Sequence, residues 1–157
     1  MGKKVLAVRS AAIIVFTVLL WAITLLLTVA ICFIMPYILS DLKQYLVLIV
    51  SYPLIVIFSF IYTKWLIDIP KVIVYYNEGK IYFCPKKNII KSVRPDEIIF
   101  ISQRHYHARH YRYSFGILIV QLAEQSIKLR WIRDVEEARR LIEKLKAKAE
   151  KSLYQNN

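Results

Sequence analysis

Ten consecutive residues, Arg104-His-Tyr-His-Ala-Arg-His-Tyr-Arg-Tyr113, gather the side chains of this chain best suited to chemistry. His105, His107 and His110 are all its histidines, and they fall within six positions. Imidazoles two apart on a strand point to one side, and a third nearby would complete a metal site. But the segment holds no cysteine or carboxylate, and Arg104, Arg109 and Arg112 repel a cation, so no metal is expected. The same arginines, interleaved with Tyr106, Tyr111 and Tyr113, suit an anion instead. Guanidinium groups meet phosphate or carboxylate in pairs of hydrogen bonds, and amphipathic rings rest at a lipid headgroup layer. Such a mixture also stacks on single-stranded nucleic acid, and it occurs in plain solvated loops. The expected contact residues for an anionic headgroup or partner are Arg104, His105, Tyr106, His107, Arg109, His110, Tyr111 and Arg112. Protonation of the histidines would strengthen that contact below about pH 6.5.

Catalysis has little to stand on. There is no glycine-rich phosphate loop, no nucleophile elbow and no carboxylate pair on adjacent predicted strands. Asp96 and Glu97 are neighbours at a strand junction and serve the turn, while Ser102 near His105 is a chance spacing. Neither an enzyme nor a cofactor is expected, and no small-molecule substrate is evident. Cys32 lies in an apolar run and Cys84 in a predicted strand, which suggests neither a disulfide nor a metal site.

The elements that must position these residues begin with residues 11–35, about 25 in a row without a charge. A second uncharged run covers residues 45–63. A helix needs about 20 apolar residues to cross the hydrocarbon core, since each residue rises 1.5 Å and backbone polar groups find no water there. Both runs meet that length. A helix pair in a soluble protein would normally keep a charged side toward water. A cleaved signal has an apolar region of only about 7–15 residues, shorter than the first run. Lys3, Lys4 and Arg9 precede the first span and Lys64 and Lys71 follow the second, whereas Asp41 and Lys43 cancel between them. Positive flanks stay in the cytoplasm, so both termini are expected there, with residues 36–44 as a short external turn. The expected location is the inner, cytoplasmic membrane.

Within the spans Thr17, Thr24 and Thr28 share one face, and Ser51 and Ser59 form a smaller stripe on the other helix. Hydroxyls of this kind let helices bond across a seam, within one chain or between copies. No ionisable group lies inside either run, which argues against an ion path and for an anchor.

Residues 68–157 remain for one modest domain. From Lys71 onward, 18 Lys and Arg stand against 9 Asp and Glu, about +9 in all. Strands are predicted across residues 71–132, with turns at Asn77-Glu-Gly-Lys80, Pro85-Lys-Lys-Asn88, Arg94-Pro-Asp-Glu97 and Ala123-Glu-Gln-Ser126. The segment 104–113 is predicted as a loop or the splayed end of a hairpin. Asp134 caps a helix over 134–152, with Val135, Ala138, Leu141, Ile142, Leu145 and Ala149 as its apolar stripe.

About six strands followed by one amphipathic helix resemble the pleckstrin-homology-like domains of bacterial membrane proteins. The likeness is carried by residues 72–83 with the Asn-Glu-Gly turn, by Val93-Arg-Pro-Asp-Glu-Ile98, and by Phe115-Gly-Ile-Leu-Ile-Val with 127–132 and the Asp134 helix. It implies an α+β membrane protein: a transmembrane helical hairpin in residues 1–67, then a curled antiparallel sheet or barrel with a C-terminal capping helix in 68–157. Relatives that bind phosphoinositides use basic residues in the loop joining the first two strands. Here that loop is read as Asn77-Glu-Gly-Lys80, short and partly acidic, which argues against specific inositide recognition. The expected role is a non-catalytic binding or scaffold module whose partners are membrane lipids and a protein partner or a second copy. The alternatives are an accessory subunit recognised through its spans and, less favoured, a tethered nucleic-acid-binding domain.

Overall fold

In the computed structural model the chain divides into two compact units, residues 12–67 and residues 3–11 together with 68–155. The backbone is described for residues 3–40 and 42–155, and the side chains of 36–45, 48–49 and 152–155 lie outside that description.

The helical unit consists of α1 (Ala12–Ser40) and α2 (Leu42–Ile67). The backbone is helical through most of the expected turn at 36–44, ending at Ser40 and starting again at Leu42, with Asp41 outside the described residues. Two stretches, Ala12–Met35 and Val50–Ile67, are long and apolar enough to cross a membrane, and only Ile13 and Thr24 in the first and Ser59 and Leu66 in the second are buried. Val15, Leu25, Leu26, Phe58 and Phe60 all stand exposed. A core helix of a soluble protein would cover such side chains.

Among the described residues, three polar side-chain pairs bridge the two helices. Thr24 Oγ1 and Ser59 Oγ are 3.3 Å apart, and Thr28 Oγ1 is 2.7 Å from the Tyr52 hydroxyl. Trp21 Nε1 donates to Thr63 Oγ1 at 3.0 Å. Thr17 instead donates to the Ile13 carbonyl of its own helix, and Ser51 is half-buried on α2. Thr24, Thr28 and Ser59 therefore pair within one chain.

The second unit begins with an element that the sequence reading misses. Residues 1–67 are assigned there wholly to the anchor, with Lys4 as a flanking charge, yet Lys4–Val8 is a strand, β1. It pairs antiparallel with β2 (Val72–Asn77), so both helices are inserted between two neighbouring strands of one sheet. β3 (Lys80–Lys86) and β4 (Ile89–Val93) complete the order β1-β2-β3-β4. Glu78 and Gly79, both at positive φ, make the two-residue turn between β2 and β3, the geometry that suits a tight hairpin. A single 3-10 turn (Pro95–Glu97) follows, held by Arg94 Nε to Glu97 Oε1 at 2.8 Å. Asp96 and Glu97 do serve a turn here.

β5 (Phe100–Ala108), β6 (Tyr111–Gln121) and β7 (Ser126–Ile132) form a second antiparallel sheet. The two sheets meet where β1 ends. Arg9 bridges Ile132, the Ser10 N–H donates to the Trp131 carbonyl at 2.7 Å, and the Arg133 N–H donates to the Val8 carbonyl at 3.0 Å. Among the described residues no ladder joins β4 to β5, so the sheets do not close into a barrel.

α3 (Val135–Gln155) starts with the Glu137 N–H donating to Asp134 Oδ1 at 3.2 Å, the expected N-cap bond. Its Val135, Ala138 and Ile142 are buried together with Ile73, Phe83, Leu118 and Leu129 in one apolar core. α3 packs against β1, β5, β6 and the 3-10 turn.

Candidate functional site

The basic and aromatic segment is an ordered hairpin, not a loop. β5 runs on to Ala108 and β6 starts at Tyr111, leaving Arg109, at φ 49°, and His110 as the turn. A ladder needs no aliphatic side chains, because cross-strand rings pack as well as branched residues do. Of the two expectations for this segment, a loop or the splayed end of a hairpin, the structure has the hairpin end.

The ladder is interrupted once. His105 pairs with Gly116 and the next pair is His107 with Arg112, so residues 113–115 of β6 bulge opposite Tyr106. Gly116 makes this possible, since a Cβ there would collide with the Arg104 carbonyl. The bulge also separates the histidines. The His105 ring turns inward, with Nδ1 at 2.9 Å from the Tyr113 carbonyl. A carbonyl only accepts, so Nδ1 carries the proton, and Nε2 is buried without a partner among the described residues. His107 and His110 are exposed. The three imidazoles thus do not share one surface, and His105 braces the hairpin instead of lining an exposed cluster. Among the described residues no three His, Cys, Asp or Glu side chains are placed to hold a metal ion.

Five rings collect along the hairpin. Tyr106 stacks on Trp131 at 5.0 Å, Phe115 on Trp131 at 5.7 Å, and Tyr113 lies 4.9 Å from Phe115 and 5.0 Å from Tyr111. Trp131 is 7% exposed and Tyr111 65% exposed, so the row grades from buried to wet. Trp131 takes φ 60° within a second bulge, between the pairs Gly116–Ile132 and Leu118–Leu129. That left-handed conformation is rare for a bulky residue and persists only where its surroundings enforce it. Here the stacked rings and the bond from Ser10 to the Trp131 carbonyl do so.

Arg104, Arg109 and Arg112 are exposed around these rings, and among the described residues none of them forms an ion pair. Between Phe100 and Arg133 the only carboxylate is Glu124, in the turn after β6. The arrangement offers cations and ring edges to an anion. Elsewhere, Cys84 is buried and burial raises its thiol pKa, which keeps it protonated and unreactive. Phe115, Trp131, Gly116 and Ser10 are absent from the sequence-level site. Phe115 and Trp131 are ordinary strand residues by pattern, and no local signal links Ser10 to Trp131 across about 120 residues of chain.

No family model, curated protein or solved structure matches this chain.

Proposed function

We propose that this chain is a membrane-anchored, non-catalytic binding module of pleckstrin-homology-like fold, at the inner face of a cytoplasmic membrane with both termini inside. Its contact surface is the end of the β5–β6 hairpin, and the partner presents negative charge. The fold reading is supported by four plus three antiparallel strands followed by one helix. Because β1 is Lys4–Val8, the connection between the first two strands is the helical hairpin itself, not Asn77-Glu-Gly-Lys80 as the sequence reading has it. The acidic character of that turn therefore says nothing about the position where inositide-binding relatives carry basic residues.

The single observation that carries the function is the row of rings with Arg104, Arg109 and Arg112 exposed beside it and no carboxylate among them. An accessory role through the helices alone is less supported, because Thr24, Thr28 and Ser59 already bond across their own seam. The test is crosslinking of the full chain in native membranes. Replacing Arg104, Arg109 and Arg112 together by Ala should remove most crosslinked material while the chain stays in the membrane pellet after an alkaline wash. Crosslinks that survive this change, and survive removal of 68–157, would transfer the role to α1 and α2.

A further inference from the structure

We propose that the outer face of the β5–β6–β7 sheet, continuous with the hairpin end, is a docking surface for anionic lipid headgroups. This deepens the binding-module reading and rests on α1 and α2 being a membrane anchor. The ladder places Ser102 beside Ile119 and Ile119 beside Lys128, and Arg104 beside Ile117. Burial alternates in step: Leu118, Val120, Ile127 and Leu129 are buried, while Ile117 and Ile119 are half-buried and Arg104, Lys128 and Arg130 exposed. The result is an apolar central row along β6 with cations on the strands to either side.

Three features favour a lipid layer over other anions. From Phe100 to Arg133 there are six Arg and Lys and three His against one Glu, so repulsion of an extended anionic surface is almost absent. The half-buried isoleucines and graded rings suit the boundary between headgroup and acyl chain, where amphipathic groups accumulate. The third is continuity of chain: Ser10 donates to the Trp131 carbonyl, and α1 begins at Ala12, two residues later. Each cation near an anionic surface changes occupancy by about fivefold, so charge at several positions on one face acts multiplicatively.

The test places the full chain in nanodiscs of phosphatidylcholine alone or mixed with phosphatidylglycerol, and follows amide deuterium exchange. In the anionic discs exchange across residues 104–117 and 128–130 should slow by tenfold or more relative to the neutral discs. The protection should vanish in Lys128→Glu/Arg104→Glu, and at about 1 M salt, where the screening length is about 3 Å. If the reversal variant loses its circular dichroism, Lys128→Gln/Arg104→Gln takes its place, with a partial loss expected. Equal exchange in both discs, with the chain retained after an alkaline wash, overturns this inference and leaves the binding-module reading standing. Loss of the chain in that wash instead overturns the anchor on which both rest. Stronger protection by a single-stranded oligonucleotide in neutral discs than by anionic lipid also overturns it.

Discussion

The Arg104 carbonyl passes so close to Gly116 that no side chain fits between the two strands. This approach sets the bulge that turns His105 inward and gathers Tyr106, Tyr113 and Phe115 into the row on Trp131. The obstacle is backbone, which cannot rotate away as a side-chain tip could. Gly116→Ala should therefore cost about 1–3 kcal/mol, the usual range for forced overpacking. Thermal unfolding in detergent checks it. An unchanged midpoint would mean that the strands separate freely at this point.

β1 is worth more to the folded unit than its five residues suggest. It pairs with β2 at four positions between Val72 and Tyr76, its neighbour Arg9 bridges β7, and Leu6 and Ala7 are buried. Residues 68–157 expressed alone should expose the β2 edge and aggregate, since an unpaired long edge recruits other chains. Joining residues 3–11 to 68–155 by a flexible linker in place of the helices should give a soluble, cooperatively unfolding protein. Dispersed amide resonances in the joined protein and their absence in the truncated one are the readout.

The hydroxyl pair on the seam makes a weaker prediction. Thr24 and Ser59 face each other, yet each hydroxyl also reaches a carbonyl of its own helix, Leu20 and Ile55, at 2.9 and 2.8 Å. Removing one partner leaves the other satisfied. Thr24→Val or Ser59→Ala should thus cost about 1 kcal/mol or less, measured by helix-pair dissociation in a bilayer. A loss of several kcal/mol would show that the cross-seam bond dominates.

Acid should act at the 3-10 turn. Glu97 accepts hydrogen bonds from the Arg94 side chain and backbone, which hold its carboxyl below the ordinary glutamate value, and the Arg94 pKa is raised in turn. A carboxyl lowered on folding contributes stability that is present above its unfolded pKa and is lost as pH falls through the folded one. The pair is exposed, so the effect is small. The unfolding midpoint of the parent protein should drop slightly faster than that of Glu97→Gln as pH falls from neutral into the acid range, and the two curves should converge at the acid end. Parallel curves would assign the turn's stability to Pro95 and the backbone alone.

Much of the architecture is local and was therefore legible in the chain. The two apolar runs announce themselves by length, the Glu78–Gly79 turn by its glycine, and α3 by an apolar stripe that recurs every third or fourth residue and a cap at Asp134. Each is decided by neighbours a few positions away. β1 is not of this kind. Lys4-Val-Leu-Ala-Val8 is short, lies against a long apolar run, and becomes a strand only because residues about 65 positions on supply its partner. The hairpin end shows the same limit. Its cations and rings can be read from the sequence, but which of them meet solvent depends on a bulge in β6 that Gly116, on the same strand, permits.

Local periodicity and composition, then, determined that this chain has two helices of membrane-crossing length, a basic strand-rich domain and a closing helix. Tertiary pairing alone decided that the helices interrupt a sheet, that His105 bonds the Tyr113 carbonyl, and that Trp131 is held against Ser10. The reason is that a helix closes its hydrogen bonds within a few residues, whereas a strand satisfies its backbone only against a partner, and the partner here is chosen by packing across the whole chain.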